Sequence, residues 1–292
     1  MPERDPAEYR PRPESSTSWT VAAVVAVAVA AGAAWWFWWR PAQAPAPVVA
    51  PPPEAAAPAP MAEASGPQHP IAAQADAGPL PPLAESDAWV AKALGELLGA
   101  ERVGRFLLTD GFVRRAVATV DNLPRAQAPA RLWPVQPAPQ RFLVEGPPGA
   151  QAIAPANAAR YQSFVAFAEA VPPDAAVALY ARLYPLFQAA YEELGYPGKY
   201  FNDRLVAVLD HLLAAPAPQG PLAVQLTQVR GEVPSTRPWV RYEFADPQLE
   251  ALSSGQKMLV RMGPDNARRL KAVLAELRRR VATGEVARRP AQ

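Results

Sequence analysis

Residues 19–39, WTVAAVVAVAVAAGAAWWFWW, decide how this chain is organised. These 21 residues carry no charged side chain, and from Val21 to Ala34 they carry no polar one either. A helix of this length crosses the roughly 30 Å hydrocarbon layer of a bilayer, and tryptophan favours the membrane–water boundary. The segment therefore predicts a transmembrane helix at 19–39, with the inner-membrane lipid bilayer as its partner.

The charges that flank this helix predict its orientation. Arg4, Arg10 and Arg12 precede it, whereas Arg40 is the only close cation after it. Cytoplasmic flanks carry the excess of Lys and Arg, and acidic residues contribute little to this bias. We therefore expect a single-pass inner-membrane protein with residues 1–18 in the cytoplasm and the C-terminal domain in the periplasm.

A cleavable signal peptide is the alternative interpretation. Ala42, Gln43 and Ala44 have the small-residue pattern of a cleavage site. However, Pro45 would follow the cut, and the apolar run exceeds the about 7–15 residues that are usual in signal peptides. An uncleaved signal-anchor is the favoured interpretation.

Residues 40–82 are predicted to form a disordered linker. From Pro41 to Pro82, 13 of 42 residues are proline, so the segment lacks the backbone donors and the apolar bulk that a packed core needs. Stretched as polyproline II at about 3.1 Å per residue, it reaches on the order of 100 Å. A spacer of required length and a linker with no length requirement both stay open. His69 has no partner nearby in the sequence and is expected to be solvated.

Residues 83–282 are predicted to form one mainly α-helical periplasmic domain, followed by a flexible tail at 283–292. Helical spacing dominates this region, and Pro185 inside one helix is expected to kink or split it. Alternating stretches at 222–228 and 239–244 predict a possible small β-hairpin.

A proline-rich stretch at 125–151 separates the predicted helices. Its six prolines interrupt every candidate helix, so the stretch is expected to be an ordered crossover loop. Residues 142–144 predict at most a short edge strand there.

Composition excludes several classes of site. Cysteine is absent, which removes disulfides, thiolate metal sites and cysteine nucleophiles. The excess of Lys and Arg in the folded region is mild and dispersed, so no nucleic-acid partner is predicted. The cations of the last helix either attract an anionic partner or form a solvated face, and the solvated face is favoured. They are Arg268, Arg269, Lys271, Arg278, Arg279 and Arg280.

Motifs for cofactors and metals are also missing. No G-x-S-x-G, G-x-G-x-x-G or H-E-x-x-H motif occurs. Gly198 and Lys199 are followed by Tyr200, whereas a phosphate-binding loop has Ser or Thr at that position. His211 is the only histidine of the folded region, and one imidazole does not make a His-based metal site. No catalytic residue, cofactor or metal is predicted.

A tyrosine-rich turn provides the candidate ligand or partner surface. Aromatic side chains with a polar tip are favoured at binding surfaces. However, Tyr191 shares one helix face with Tyr180 and Tyr184, and core packing explains that spacing equally well. The candidate residues are Tyr191, Tyr196, Tyr200, Asp203, Asp210 and His211.

The carboxylates around this turn permit a second hypothesis. Two carboxylates that face one cleft at about 5–10 Å can hydrolyse glycans, a chemistry that suits the cell wall. The candidates are Glu192, Glu193, Asp203 and Asp210. Helix-end charges and capping are the favoured explanation of these residues.

Two long motifs resemble a known family: EELGYPGKYFNDR within residues 180–204, and YEFADPQLEALSSGQKMLVRMGPDNARRLKAVLAEL at 242–277. They are similar to an uncharacterised family of proteobacterial single-pass membrane-anchored proteins that is known only as a domain of unknown function. The resemblance implies a bacterial origin and the layout of anchor, linker and domain. It implies no activity, cofactor or site residue.

These observations favour a membrane-anchored periplasmic protein whose domain is a non-enzymatic binding or scaffolding unit of the cell envelope. The expected partner is an envelope protein or the cell wall. The alternative is a glycan hydrolase that uses the carboxylates near residues 196–210. The sequence leaves the partner's identity and the oligomeric state open.

Overall fold

Helices dominate the computed structural model of this protein, which describes residues 66–71, 78–227 and 241–283. The prediction of a mainly helical fold is thereby confirmed for the folded region. The transmembrane helix predicted at 19–39, the segment 1–18 and all but the first residue of the predicted tail lie outside the described residues.

The test for a membrane span is likewise confined to the described ranges. There, no single helix is both long and apolar enough to cross a bilayer. Pro155–Glu169 and Pro173–Glu193 reach that requirement only as a pair, which is bent by 78°.

Nine α-helices form within the described residues, and glycine or proline marks several of their ends. Gly99 and Gly263 follow two helices with positive φ, a conformation that glycine adopts without strain. In chain order the helices are α1 (Asp87–Leu98), α2 (Ala100–Phe106), α3 (Phe112–Asn122), α4 (Ala159–Glu169), α5 (Pro173–Glu193), α6 (Phe201–Leu213), α7 (Pro247–Glu250), α8 (Ser254–Arg261) and α9 (Pro264–Thr283).

The core lies between the long helices. α3 packs on α5 and α6, and Val117 and Phe187 belong to the main apolar cluster. α9 packs on α4 and α6, where fully buried Val281 contacts a second cluster that contains Val206. Burying one such side chain contributes about 1.5–3 kcal/mol to folding.

Pro185 does not split its helix. α5 runs without a break from Pro173 to Glu193, so of the two expected outcomes, a kink or a split, the split does not occur. Leu183, Leu186 and Phe187 are buried on both sides of the proline. Their packing holds the two halves together although one backbone donor is missing.

A four-stranded antiparallel sheet covers one part of the helical body. Its order is β1-β2-β3-β4, with β1 at Val144–Glu145, β2 at Gln151–Ile153, β3 at Ala223–Leu226 and β4 at Tyr242–Phe244. The predicted pairing of two strands is confirmed by β3 and β4. β1 is a short edge strand near the expected place. β2 was not predicted, because three residues give too short an alternation to recognise.

The start of α8 is fixed against the end of α3. Ser254 N–H donates to Arg125 O (2.8 Å), and Gly255 N–H donates to Leu123 O (2.9 Å). A Cβ on Gly255 would lie 2.5 Å from Leu212 Cδ2 and 3.1 Å from the Leu123 oxygen. This close approach therefore requires glycine.

Candidate functional site

The tyrosine-rich turn between α5 and α6 packs onto the interior. Gly195 and Gly198 form it with φ values of 108° and 71°. Tyr191 is only 4% exposed, and its ring stacks on Tyr196 with centroids 4.6 Å apart. Tyr200 is half-buried immediately before α6. This arrangement supports the core interpretation of Tyr191.

Tyr196 contacts a buried acid that sequence reasoning missed. Asp121, at the end of α3, is 2% exposed. Its carboxylate accepts hydrogen bonds from the Tyr196 hydroxyl (3.2 Å) and Arg125 Nη2 (2.5 Å). Arg204 Nε of α6 donates to its other oxygen at 3.0 Å. The Asp121 charge raises the pKa of Arg125. We call these four residues the Asp121 cluster.

The sequence contained a signal for this cluster. Val113, Val117 and Asp121 follow each other at a spacing of four along α3, and the two valines are 1% exposed. An acidic residue that continues an apolar face is buried with its helix and needs cationic partners. The Asp121 cluster thus joins α3, the tyrosine turn and α6.

The first turn of α6 holds part of the predicted linker. Asp203 accepts a hydrogen bond from Gln68 N–H at Oδ2 (3.0 Å) and from His69 N–H at Oδ1 (2.7 Å). Asn202 Nδ2 donates to the His69 oxygen at 2.8 Å. We call Asn202 and Asp203 the linker clamp, and residues 66–71 the docked segment.

Asn202 is itself fixed by the helical body. It is 0% exposed, and its Nδ2 also donates to Val281 O (3.0 Å) in the last turn of α9. Its Oδ1 accepts a hydrogen bond from the Tyr180 hydroxyl at 3.1 Å. Burial raises the pKa of Tyr180 well above its ordinary value, so this hydroxyl stays a donor. Two contacts that do not involve the docked segment, to Tyr180 and to Val281 O, thus orient the amide.

His69 is not solvated, contrary to expectation. Its side chain is half-buried, and Nδ1 lies 3.0 Å from Ala282 O. Because a carbonyl oxygen only accepts, the Nδ1–H tautomer donates here. The contact joins residues 213 positions apart, and no local pattern could have indicated it.

Asp210 and His211 hold helices together in the last turn of α6. Asp210 forms a two-point ion pair with Arg278 of α9, with distances of 2.8 and 3.0 Å. The hydrogen bonds from Arg278 lower the pKa of Asp210. His211 Nε2 lies 2.8 Å from the hydroxyl of Ser253, which caps α8 by accepting from Gln256 N–H.

The other acids at the end of α5 have their own partners. Glu193 pairs with Arg114 at 2.9 Å, and Glu192 accepts from Gln188 Nε2 at 2.8 Å. Each of the four carboxylates of the hydrolase hypothesis therefore has its own partner or partners. The structure provides no observation that favours a carboxylate pair acting on one bond.

Three cations of α9, among them Arg278, pair with acids of neighbouring elements. Arg269 forms a two-point ion pair with Glu169 of α4, and Arg280 pairs with Asp174 of α5. Lys271 donates to a backbone oxygen near the end of α6. These pairs support the interpretation of this helix as a solvated, ion-paired face.

A cleft of about 390 Å³ lies between α3, the end of α5 and the turn at Ala130–Leu132. Arg114, Arg115 and Arg131 line it together with apolar side chains. Arg115 is engaged by the backbone oxygens of Asp110 and Arg131. Two acids, Asp110 and Glu193, also line the cleft, and Glu193 is the one lining residue that the sequence analysis had singled out.

Comparison with known proteins identifies a family that this chain matches. The family described as "Protein of unknown function (DUF3014)" matches residues 112–278. The match includes the Asp121 cluster and the linker clamp, whereas the docked segment precedes it. No curated protein and no solved structure matches the chain. Among the described residues, no three His, Asp or Glu side chains are grouped to hold a metal ion.

Proposed function

The chain belongs to the DUF3014 family of proteins of unknown function, and from that premise we propose a role as a membrane-anchored binding or scaffolding protein of the cell envelope. In this proposal residues 19–39 span the inner membrane. Residues 1–18 lie in the cytoplasm, and the helical domain lies in the periplasm. The expected resemblance to a domain of unknown function is confirmed by the family match, whereas bacterial origin and anchoring stay predictions.

One observation carries the proposal: the polar groups that were candidates for chemistry have structural partners. Asp203 holds backbone amides, Asp210 holds Arg278, and His211 contacts a helix cap. A catalytic carboxylate must face substrate and water. Groups that fix helices and a linker instead suit a domain whose task is to present a surface.

The docked segment also shortens the proposed spacer. Residues 40–65 separate the predicted membrane helix from residue 66. At about 3.1 Å per residue they span at most about 80 Å as polyproline II. The clamp thus gives the spacer a defined end on the domain and limits how far the domain reaches from the membrane.

A reporter fusion in a Gram-negative host tests the topology. Alkaline phosphatase fused after Gln292 is expected to be active, because it folds only outside the cytoplasm. The matched control neutralises Arg4, Arg10 and Arg12 to Gln, which removes the charge bias and is expected to lower the activity. Activity of a cytosolic reporter alone, or a freely soluble full-length product, contradicts the proposal.

Two measurements test the binding role. Crosslinking in intact cells is expected to recover the same envelope protein repeatedly, and recovery of abundant bystanders alone would contradict it. Purified full-length protein is expected to release no fragments from peptidoglycan. Fragment release that disappears in both Asp203→Ala and Glu193→Ala would instead favour the hydrolase alternative.

A further inference from the structure

The linker clamp recognises a main chain rather than a set of side chains. Two adjacent residues, Asn202 and Asp203, contact three backbone groups of Gln68 and His69: two N–H groups and one carbonyl. The Gln68 residue itself is exposed. Any peptide that offers the same three groups in the same arrangement satisfies this part of the clamp.

The clamp selects a bent backbone. Successive N–H groups of an extended strand point in opposite directions, so two of them reach one carboxylate only where the chain bends. Gln68 and His69 are both bends. Pro67 and Pro70 flank them and fix two φ angles, which disfavours a helix and lowers the entropy cost of the bound shape.

The clamp is also built before its occupant arrives. Tyr180 and the backbone oxygen of Val281 orient the buried amide of Asn202. Asp203 supplies charge-assisted hydrogen bonds, which are stronger than neutral ones. A site with fixed donors and acceptors binds with less ordering cost than one that must form around its ligand.

We propose that the linker clamp is the partner-binding site of the domain, and that the docked segment occupies it in cis. The partner is a bent, proline-flanked peptide of another envelope protein. It presents two consecutive non-proline residues, the second with a side-chain donor that reaches Ala282 O as His69 does. This inference rests on the proposed binding role and specifies its surface.

The occupant is intramolecular, so it competes at an effective concentration on the order of millimolar. The bonds that hold it involve only three side chains, those of buried Asn202 and of half-buried Asp203 and His69. A partner peptide with additional contacts displaces it. The docked segment thus keeps the site closed until a partner of sufficient affinity is present.

A peptide-binding experiment on the purified full-length protein tests this inference. Gln68→Pro/His69→Pro removes both amide donors of the docked segment and leaves the clamp intact. A labelled acetyl-GPQHPI-amide peptide is expected to bind this vacated variant at least about tenfold more tightly than wild type, measured by fluorescence anisotropy. His69→Ala, which keeps both amides, is expected to stay closer to wild type.

Asp203→Asn in the vacated background provides the matched control. The side chain keeps its shape but presents an NH₂ group where an acceptor is needed, so peptide affinity is expected to fall about tenfold or more. The same peptide with proline at its third and fourth positions is expected not to bind. Thermal unfolding of each variant checks that the domain stays folded.

Three results would overturn the inference. The first is equal peptide binding to the wild-type and vacated proteins, and the second is no binding to a folded vacated variant. The third is a wild-type dimer that becomes monomeric on the proline substitutions, which would assign the clamp to a second copy of this chain. The binding assay does not depend on membrane topology, so it and the reporter fusion can fail separately.

Discussion

Asp121 and Asp203 lie on neighbouring helices, and each accepts more than one hydrogen bond, but their hydrogen-bond partners differ in kind. Asp121 is 2% exposed and binds side chains of the domain's own helices and turn. Asp203 is half-buried and binds backbone amides of a segment 134 and 135 positions away. Asp121 is thus enclosed by the fold, whereas Asp203 lies at its edge, where in our proposal a partner peptide replaces the docked segment.

The largest expected effect comes from Asp121→Ala. It leaves the Arg204 guanidinium, whose side chain is 30% exposed, without its carboxylate. Breaking a buried pair in this way costs about 3–5 kcal/mol of unfolding free energy. Urea unfolding of the full-length protein measures it. Glu193→Ala, which removes an exposed ion pair, is the control and is expected to cost less than about 1 kcal/mol. Equal losses of unfolding free energy in the two variants would contradict the distinction between the buried Asp121 and the exposed Glu193.

Gly255→Ala tests the close packing of α8 against the end of α3, the helix that carries Asp121. Its Cβ would meet Leu212 and the Leu123 carbonyl, so a loss of about 2–3 kcal/mol is expected from overpacking. Gly104→Ala inside α2 meets nothing within 4 Å and is expected to gain about 0.5–1 kcal/mol. Urea midpoints of the two variants should move in opposite directions.

Asn202→Ala examines whether the clamp also serves the fold. It deprives the buried Tyr180 hydroxyl of its acceptor, and a loss of about 1–2 kcal/mol is expected. Asp203→Asn should cost less than Asn202→Ala, because its partners belong to the docked segment. Hydrogen exchange at the Gln68 and His69 amides should accelerate in Asp203→Asn while the core amides stay protected. Accelerated exchange throughout the core would instead show that Asp203, like Asp121, stabilises the whole domain.

The smallest expected effect is the pH dependence of the Asp210–Arg278 pair. Arg278 holds the pKa of Asp210 below its ordinary value of 3.8. The pair therefore contributes stability above about pH 4, and this contribution is lost as the pH falls through the lowered folded-state pKa. Arg278→Gln should cost less than about 1 kcal/mol at neutral pH, and its difference from wild type should vanish in acid. A difference that grows on acidification would contradict this sign.

Much of the fold was predictable because its signals are local. Helical spacing and the glycines at helix ends indicated most helices, and alternation at 222–228 indicated β3. Pro185 did not split α5, because propensity describes an isolated helix, whereas buried neighbours on both sides of the proline hold this helix continuous. A local sequence pattern does not reveal such stabilisation by tertiary packing.

The candidate site was less predictable because its contacts are long-range. Asp121 had a usable signal in the spacing of α3. The linker clamp had none, since the partners of Asp203 lie in a proline-rich segment that composition assigns to disorder. Composition describes what a segment can do alone, and the docked segment acquires its structure from α6 and α9.

The position of the clamp determines where mechanical load enters the domain. Tension that arrives along the chain from its N-terminal side meets the docked segment before it meets α1. The force is then delivered to the first turn of α6 and the last turn of α9, and α1 is shielded from being peeled away. The hydrogen bonds at Asn202 and Asp203 therefore have to break before such tension reaches α1.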